Sequence, residues 1–210
     1  MSKIYGLMQG HNIHSDEDYD GVFLGDKLDI ALSVSELKHS SLARSKMQTY
    51  FQFTTSNPNR LSDLNMLYTN TSIDVISVAL VNTIKSVGSL DVELVPARFI
   101  DSATGENVCE GKFVCVYLNE FLDCLDYDKS IYKMKDWSLI SQDSQEKVTD
   151  RMRKKVRSLK KMILLEPKGG FPPYFKLLAT PVGLYISSAA YHAIVKADLK
   201  YLRLRLIGDF

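Results

Sequence analysis

The chain has little of what would announce a specialised class. Cysteine occurs three times, tryptophan once and proline six times in 210 residues. A sparse, odd set of cysteines excludes a disulfide-stapled scaffold. Cys115 sits in the apolar run Phe113-Val114-Cys115-Val116-Tyr117-Leu118, where a thiol behaves as a small buried hydrophobe. Uninterrupted aliphatic runs are short, as in Val78-Ala79-Leu80-Val81, whereas a membrane-spanning helix needs about 20 apolar residues. The opening Met-Ser-Lys-Ile-Tyr-Gly-Leu-Met has no apolar core of a secretory signal. A cytoplasmic chain without a membrane partner is the expectation. A net charge of +1 gives no global reason for a nucleic-acid partner. A hydrophobic content of 45% excludes wholesale disorder.

Charge is present but unevenly placed. Residues 1–30 carry a net −4, residues 31–140 a net −3 and residues 141–210 a net +8. The front of the chain is acidic and the back basic.

The patterning divides the chain into a weakly patterned region, residues 1–60, packed on a main domain, residues 61–210. Short strands are expected at 4–8 and 22–24, and a helix from Ser35. The turn cluster at 54–60 marks a seam. Ser77 is a good N-cap for a helix over 78–87, with Leu80, Ile84 and Val87 on one face and Gly88 as its C-terminal stop. Strands at 92–100 and 112–118 follow, joined by a hairpin turn at 101–106. The second is apolar on both faces, which predicts a central position in a covered sheet. Val148, Met152, Val156 and Leu159 form one stripe, so 141–161 reads as a basic amphipathic helix.

The C-terminal segment repeats an earlier one. Ile76-Ser77-Val78-Ala79 matches Ile186-Ser187-Ser188-Ala189 at an offset of 110. Leu80/Ala190 and Ile84/Ile194 follow the same offset, and after a one-residue gap 92–95 corresponds to 201–204. Leu202, Leu204 and Leu206 alternate with Arg203 and Arg205. The expected fold is α+β: a mixed β-sheet with two β-α-β-like units, about 73–100 and 183–207, plus the basic helix.

No pattern supplies a catalytic or metal site. Gly105 and Gly111 have the wrong spacing for a phosphate loop, and Phe113 stands where a hydroxyl would bind magnesium. His11 and His14 lack the further ligands of a structural zinc site. Ser188, His192 and Asp198 lack a nucleophile turn. A non-enzyme without cofactors is expected. Asp16, Glu17, Asp18 and Asp20 form an acidic loop suited to a basic partner. Tyr127 and Trp137 are aromatic candidates for a protein interface. The bases between Lys147 and Lys161 raise nucleic-acid binding as the alternative. No aromatic interleaves them, and a solvated helix face explains them more simply.

Two stretches carry a family resemblance. The first is Val92-Glu93-Leu94-Val95-Pro96, then Gly105, Tyr117-Leu118-Asn119 and Asp123-Cys124-Leu125-Asp126-Tyr127-Asp128-Lys129-Ser130. The second is Pro173-Tyr174-Phe175-Lys176-Leu177, then Gly183-Leu184-Tyr185-Ile186-Ser187 and the strand ending near Ile207. Over roughly 61–210 the chain resembles the bacterial polymorphic-toxin immunity proteins numbered eleven in their classification, earlier a domain of unknown function. It departs in lacking a Thr-Gly step before the last strand and in having the basic segment 141–161. The resemblance implies a cytoplasmic protein that binds a cognate toxin, encoded by a neighbouring gene, and occludes its active site.

Overall fold

A computed structural model describes residues 3–9, 23–24, 50–56, 58–67, 74–134, 155–180 and 183–209. Its described elements are β1 (Lys3–Gln9), β2 (Phe23–Leu24), β3 (Phe51–Thr55), α1 (Pro58–Leu61), β4 (Met66–Leu67), β5 (Asp74–Ser77) and α2 (Val78–Lys85). They continue with β6 (Val92–Asp101), β7 (Asn107–Leu118), β8 (Ile131–Met134), β9 (Val156–Lys161), β10 (Tyr174–Phe175), β11 (Tyr185–Ser187), α3 (Ser188–Lys196) and β12 (Leu202–Asp209). The protein is α+β. A six-stranded sheet runs β2-β3-β6-β7-β5-β4, a four-stranded sheet runs β10-β11-β1-β12, and β8-β9 is a separate ribbon. The larger sheet is mixed, because β3 joins β6 in parallel while its other pairs are antiparallel.

The duplication read from the sequence reaches further than its few identities. β5 and β6 both pair antiparallel with β7, so they run parallel with β7 between them. β11 and β12 enclose β1 in the same way. On the outside, Met66 pairs with Ile76 as Tyr174 pairs with Ile186. Ser77 lies across from Phe113 and Val92 across from Leu118. Ser187 lies across from Ile4 and Leu202 across from Gln9. Leu202 therefore occupies the place of Val92, and the offset of 110 holds without the expected gap. Residues 3–9 and 51–55 both supply strands to the sheets, so strand pairing runs across residue 60.

Both helices start for the same reason. Ser77 accepts a hydrogen bond from the Leu80 amide at 3.0 Å, and Ser187 one from Ala190 at 3.4 Å. Each cap satisfies an amide that has no partner inside its helix. Lys85 and Lys196 lie in the last turns, where cations complement the helix dipole. One core joins the units: Leu80, Val81 and Ile84 from α2 meet Ala190 and Ile194 from α3, with Leu7, Ile76, Val116 and Ile186 from the strands. A second core, with Phe53, Phe99 and Phe113, backs the larger sheet, and a third, with Ile4, Phe175 and Tyr185, backs the smaller one.

Four expectations are corrected. Residues 156–161, expected in a helix, form strand β9. Its register with β8 skips Arg157 and Lys160. These two bulges space the inward Val156 and Leu159 three apart, and a doubly bulged strand then imitates helical periodicity. The expected segment 141–154 lies outside the described residues. Val87 is 38% exposed, because α2 has already ended at Lys85. Gly88 does not have a left-handed φ. Its reason is close approach, since a Cβ there would lie 2.7 Å from Cγ of Pro173. Leu206 is 47% exposed, beside a register shift in β12. The expected helix from Ser35 falls on residues outside the described structure, 35–49.

Ile84→Ala should cost about 2–5 kcal/mol, the usual range for a fully buried aliphatic. Leu204→Ala should cost less, because Leu204 is only half-buried against the same core. Equal midpoint shifts in paired denaturant melts would contradict this ranking of the two positions.

Candidate functional site

Of the residues singled out for a partner, Tyr127 alone lies in the described structure. Asp16, Glu17, Asp18, Asp20 and Trp137 lie outside it, as do His11 and His14. Tyr127 is half-buried and packs on the third core. Its ring meets Tyr132 edge-on, with centroids 5.4 Å apart. Burial, then the Asp123 carboxylate and Tyr132, push its phenol above the ordinary tyrosine value. At neutral pH it is a neutral aromatic that supports the turn around it.

That turn lies in the motif Asp123-Cys124-Leu125-Asp126-Tyr127-Asp128-Lys129-Ser130 and is held by its own polar groups. The Asp126 carboxylate accepts hydrogen bonds from the Asp128 amide at 3.1 Å and the Lys129 amide at 3.0 Å. Lys129 Nζ stands 3.4 Å away. Burial opposes ionisation of Asp126, but the Lys129 and Asp128 contacts outweigh it and hold the carboxyl below its usual value. The Ser130 hydroxyl accepts from the Ile163 amide and donates to the Ile163 carbonyl. The Asp126 amide also donates to the Ile163 carbonyl. Cys124 accepts from the Leu165 amide, while Leu122 bridges Leu177. The motif thus ties 122–130 to 163–165 and to 176–178 through backbone groups and the Ser130 hydroxyl. Burial raises the Cys124 thiol to about 12, with Asp123 adding to it, so this cysteine is a core residue and not a nucleophile.

A second polar cluster was missed from the sequence. Lys176 is 2% exposed and forms an ion pair with Asp74. Asp74 starts β5 and Lys176 follows β10, so the pair links the two units. Burial first, and the nearby Asp74 charge after it, raise the Cys115 thiol and the Tyr174 phenol. Burial, then Cys115 and Asp74, raise the Tyr117 phenol. All three groups therefore stay protonated. The signal was present: each charge stands alone in an apolar stretch, Ile73-Asp74-Val75-Ile76 and Tyr174-Phe175-Lys176-Leu177-Leu178. A lone charge in such a run needs a buried partner.

The other combinations do not assemble. Asp198 pairs with Lys200 at 2.6 Å, and the His192 ring meets Tyr191 edge-on. Gly105 closes the β6–β7 turn, donating from its amide to the Asp101 carbonyl at 2.8 Å. Strand β7 already begins at Asn107, with Cys109 and Gly111 at positive φ within it. Among the described residues, no group of three or more His, Cys, Asp or Glu side chains could hold a metal ion. No helix among them is long and apolar enough to cross a membrane. A cavity of about 360 Å³ opens beside the N-terminus of α3, with exposed Lys3 and Glu166 bringing opposite charges to its lining.

The β8–β9 ribbon presents a basic outer surface. Lys133, Arg157, Lys160 and Lys161 are exposed there, with Ile131 55% exposed across from Lys161. Compared with known proteins, the chain matches no family model and no curated protein.

Asp74→Asn should destabilise by about 3–5 kcal/mol, because it leaves the buried Lys176 ammonium uncompensated. Asp74→Asn combined with Lys176→Met should recover most of that loss. A double variant no more stable than Asp74→Asn in urea melts would refute coupling between the two. For Asp126 the folded pKa is lowered, so its stabilisation is present above about pH 4 and fades as pH falls through the folded value. Asp126→Asn should therefore melt earlier than wild type at pH 7 and converge with it in acid. A constant difference across pH would contradict this.

Proposed function

We propose that the chain is a non-enzymatic cytoplasmic immunity protein that binds a cognate bacterial toxin and occludes its active site. One observation carries the reading. Motif pieces separated by dozens of residues meet in space: Leu122, just before Asp123-Cys124-Leu125-Asp126, bridges Leu177 of the Pro173-Tyr174-Phe175-Lys176-Leu177 stretch. Glu93 pairs with Tyr117, and Tyr174 with Ile186, so the other quoted stretches also adjoin through ladders. Residues that carry the resemblance are thus a connected framework, as expected if they specify a shared architecture. Ser130, Asp126 and Cys124 spend their polar groups on that framework. Under this reading a partner is held by the surface and not by the motif.

The exposed bases of the β8–β9 ribbon favour a second reading, nucleic-acid binding. The two separate cleanly. Co-expression with the toxin-like product of the adjacent gene should restore growth, and the two proteins should co-purify. Under the second reading, a labelled duplex DNA should bind with affinity falling steeply between 50 and 200 mM salt, by orders of magnitude if several phosphates are contacted. Absence of both rescue and co-purification would overturn the immunity proposal.

A further inference from the structure

Strand β12 closes the four-stranded sheet, pairing with β1 along one edge. Among the described residues no strand pairs with its other edge. The corresponding strand of the first unit, β6, has that edge covered over Ala97–Asp101 by β3. Each unit is preceded by a strand pair, β2–β3 or β8–β9. Where β3 joins the first sheet, β9 stays in its own ribbon, and among the described residues the outer edge of the second unit is left unpaired.

The side chains on this edge are not neutral toward what could pair with it. Leu202 and Leu204 are half-buried against the core between the units. Leu206, on the same face, is 47% exposed. Arg203 and Arg205 are exposed on the opposite face. Exposed apolar edges invite indiscriminate strand addition, and charges are the usual guard. Two copies paired antiparallel about residue 203, 204 or 205 would set arginine against arginine, which is unfavourable. A strand bearing carboxylates on one face and apolar residues on the other meets neither obstacle. Its carboxylates would face Arg203 and Arg205, and its apolar side chains would cover Leu204 and Leu206. The same two arginines reject self-pairing and select an acidic partner.

We propose that the outer edge of β12 is a docking edge for an extended segment of a partner protein in which carboxylate and apolar side chains alternate. Main-chain hydrogen bonds supply the attachment and Arg203 and Arg205 the selectivity. The proposal rests on the inhibitor reading above and says where the toxin is held.

The probes are two synthetic heptapeptides, one alternating valine with glutamate and one alternating valine with lysine, titrated into the isotope-labelled full chain. Alternate amides of β12 should exchange freely in the unliganded protein, while those of Ala97–Asp101 in β6 are protected. The glutamate peptide should shift β12 resonances and bind about tenfold more tightly than the lysine peptide, a ratio equal to about 1.4 kcal/mol. Arg203→Glu with Arg205→Glu should invert the preference. If that variant melts early, Arg203→Gln with Arg205→Gln replaces it and should abolish the preference. Full protection of β12 in the free chain, absent or scattered shifts, or an unchanged preference in a folded variant would overturn the proposal. The peptides stand in for the toxin, so this result is independent of growth rescue. Rescue with peptide failure removes the edge assignment alone, and peptide binding without rescue removes the inhibitor reading alone.

Discussion

The structure depends on the burial of two short helices against each other. α2 has eight residues and α3 nine, too few for an isolated helix to persist in water. Each is held because Leu80 and Ile84 on one side, and Ala190 and Ile194 on the other, enter a single core lined by Leu7, Ile76, Val116 and Ile186. Leu80 and Ala190, at equivalent places, share this core, and a large residue with a small one suits close packing. Burial of the helices therefore depends on apolar surface drawn from both units.

Polar contacts then fix how the units meet, and they do so reciprocally. Asn65 accepts a hydrogen bond from the Ser77 hydroxyl at 2.7 Å, and its side-chain amide donates to the Lys200 carbonyl at 3.0 Å. It thereby ties the cap of α2 to the exit of α3. Pro173 is its counterpart: the Ser187 amide donates to the Pro173 carbonyl as the Ser77 amide does to the Asn65 carbonyl. Its ring approaches Gly88, at the exit of α2. The same place in each unit touches the same place in the other, as in an isologous dimer interface. Lys176 with Asp74 adds a charged contact whose geometry tolerates little sliding, which favours one arrangement over neighbouring ones.

The duplication was legible because capping and burial leave local traces: a serine before an apolar stripe marks a helix wherever it occurs. Ser77 and Ser187, and the strands after them, were readable for that reason. What failed was information carried by pairing. The spacing of Val156 and Leu159 cannot distinguish a helix from a bulged strand until β8 is known to lie alongside. Leu206 continues the alternation of Leu202 and Leu204 but reaches past the core, and nothing in the pattern marks where the core ends. Gly88 was assigned to the wrong cause because its neighbour, Pro173, is remote in sequence. Tyr127 was found as an aromatic candidate for a protein interface, yet its environment is set by Asp123, Tyr132 and the third core. The ion pair of Asp74 with Lys176 left a trace in each half, but only the fold says that the two belong together.

The two units obtain their middle strand in opposite ways, and this gives them different routes to assembly. β7 follows β6 through a turn in which Asp101 Oδ1 accepts from the Ala103 amide at 2.9 Å, so the first unit closes by local pairing. In the second, β1 enters between β11 and β12 from the far end of the chain, with Lys3 across from Asp209. Loop closure grows costlier with separation, and pairing of distant segments slows folding. The first unit is thus the natural nucleus, presenting α2 and Ile76 as a surface on which α3 and Ile186 can settle. β1 gains its full set of partners only once β11 and β12 are in place. On this argument the β1–β12 ladder is expected to form last, and until it forms β12 has no strand partner among the described residues. Arg203 and Arg205 are placed to act at that stage as well, since the charges that discourage self-pairing of the finished sheet also discourage it in the incomplete one.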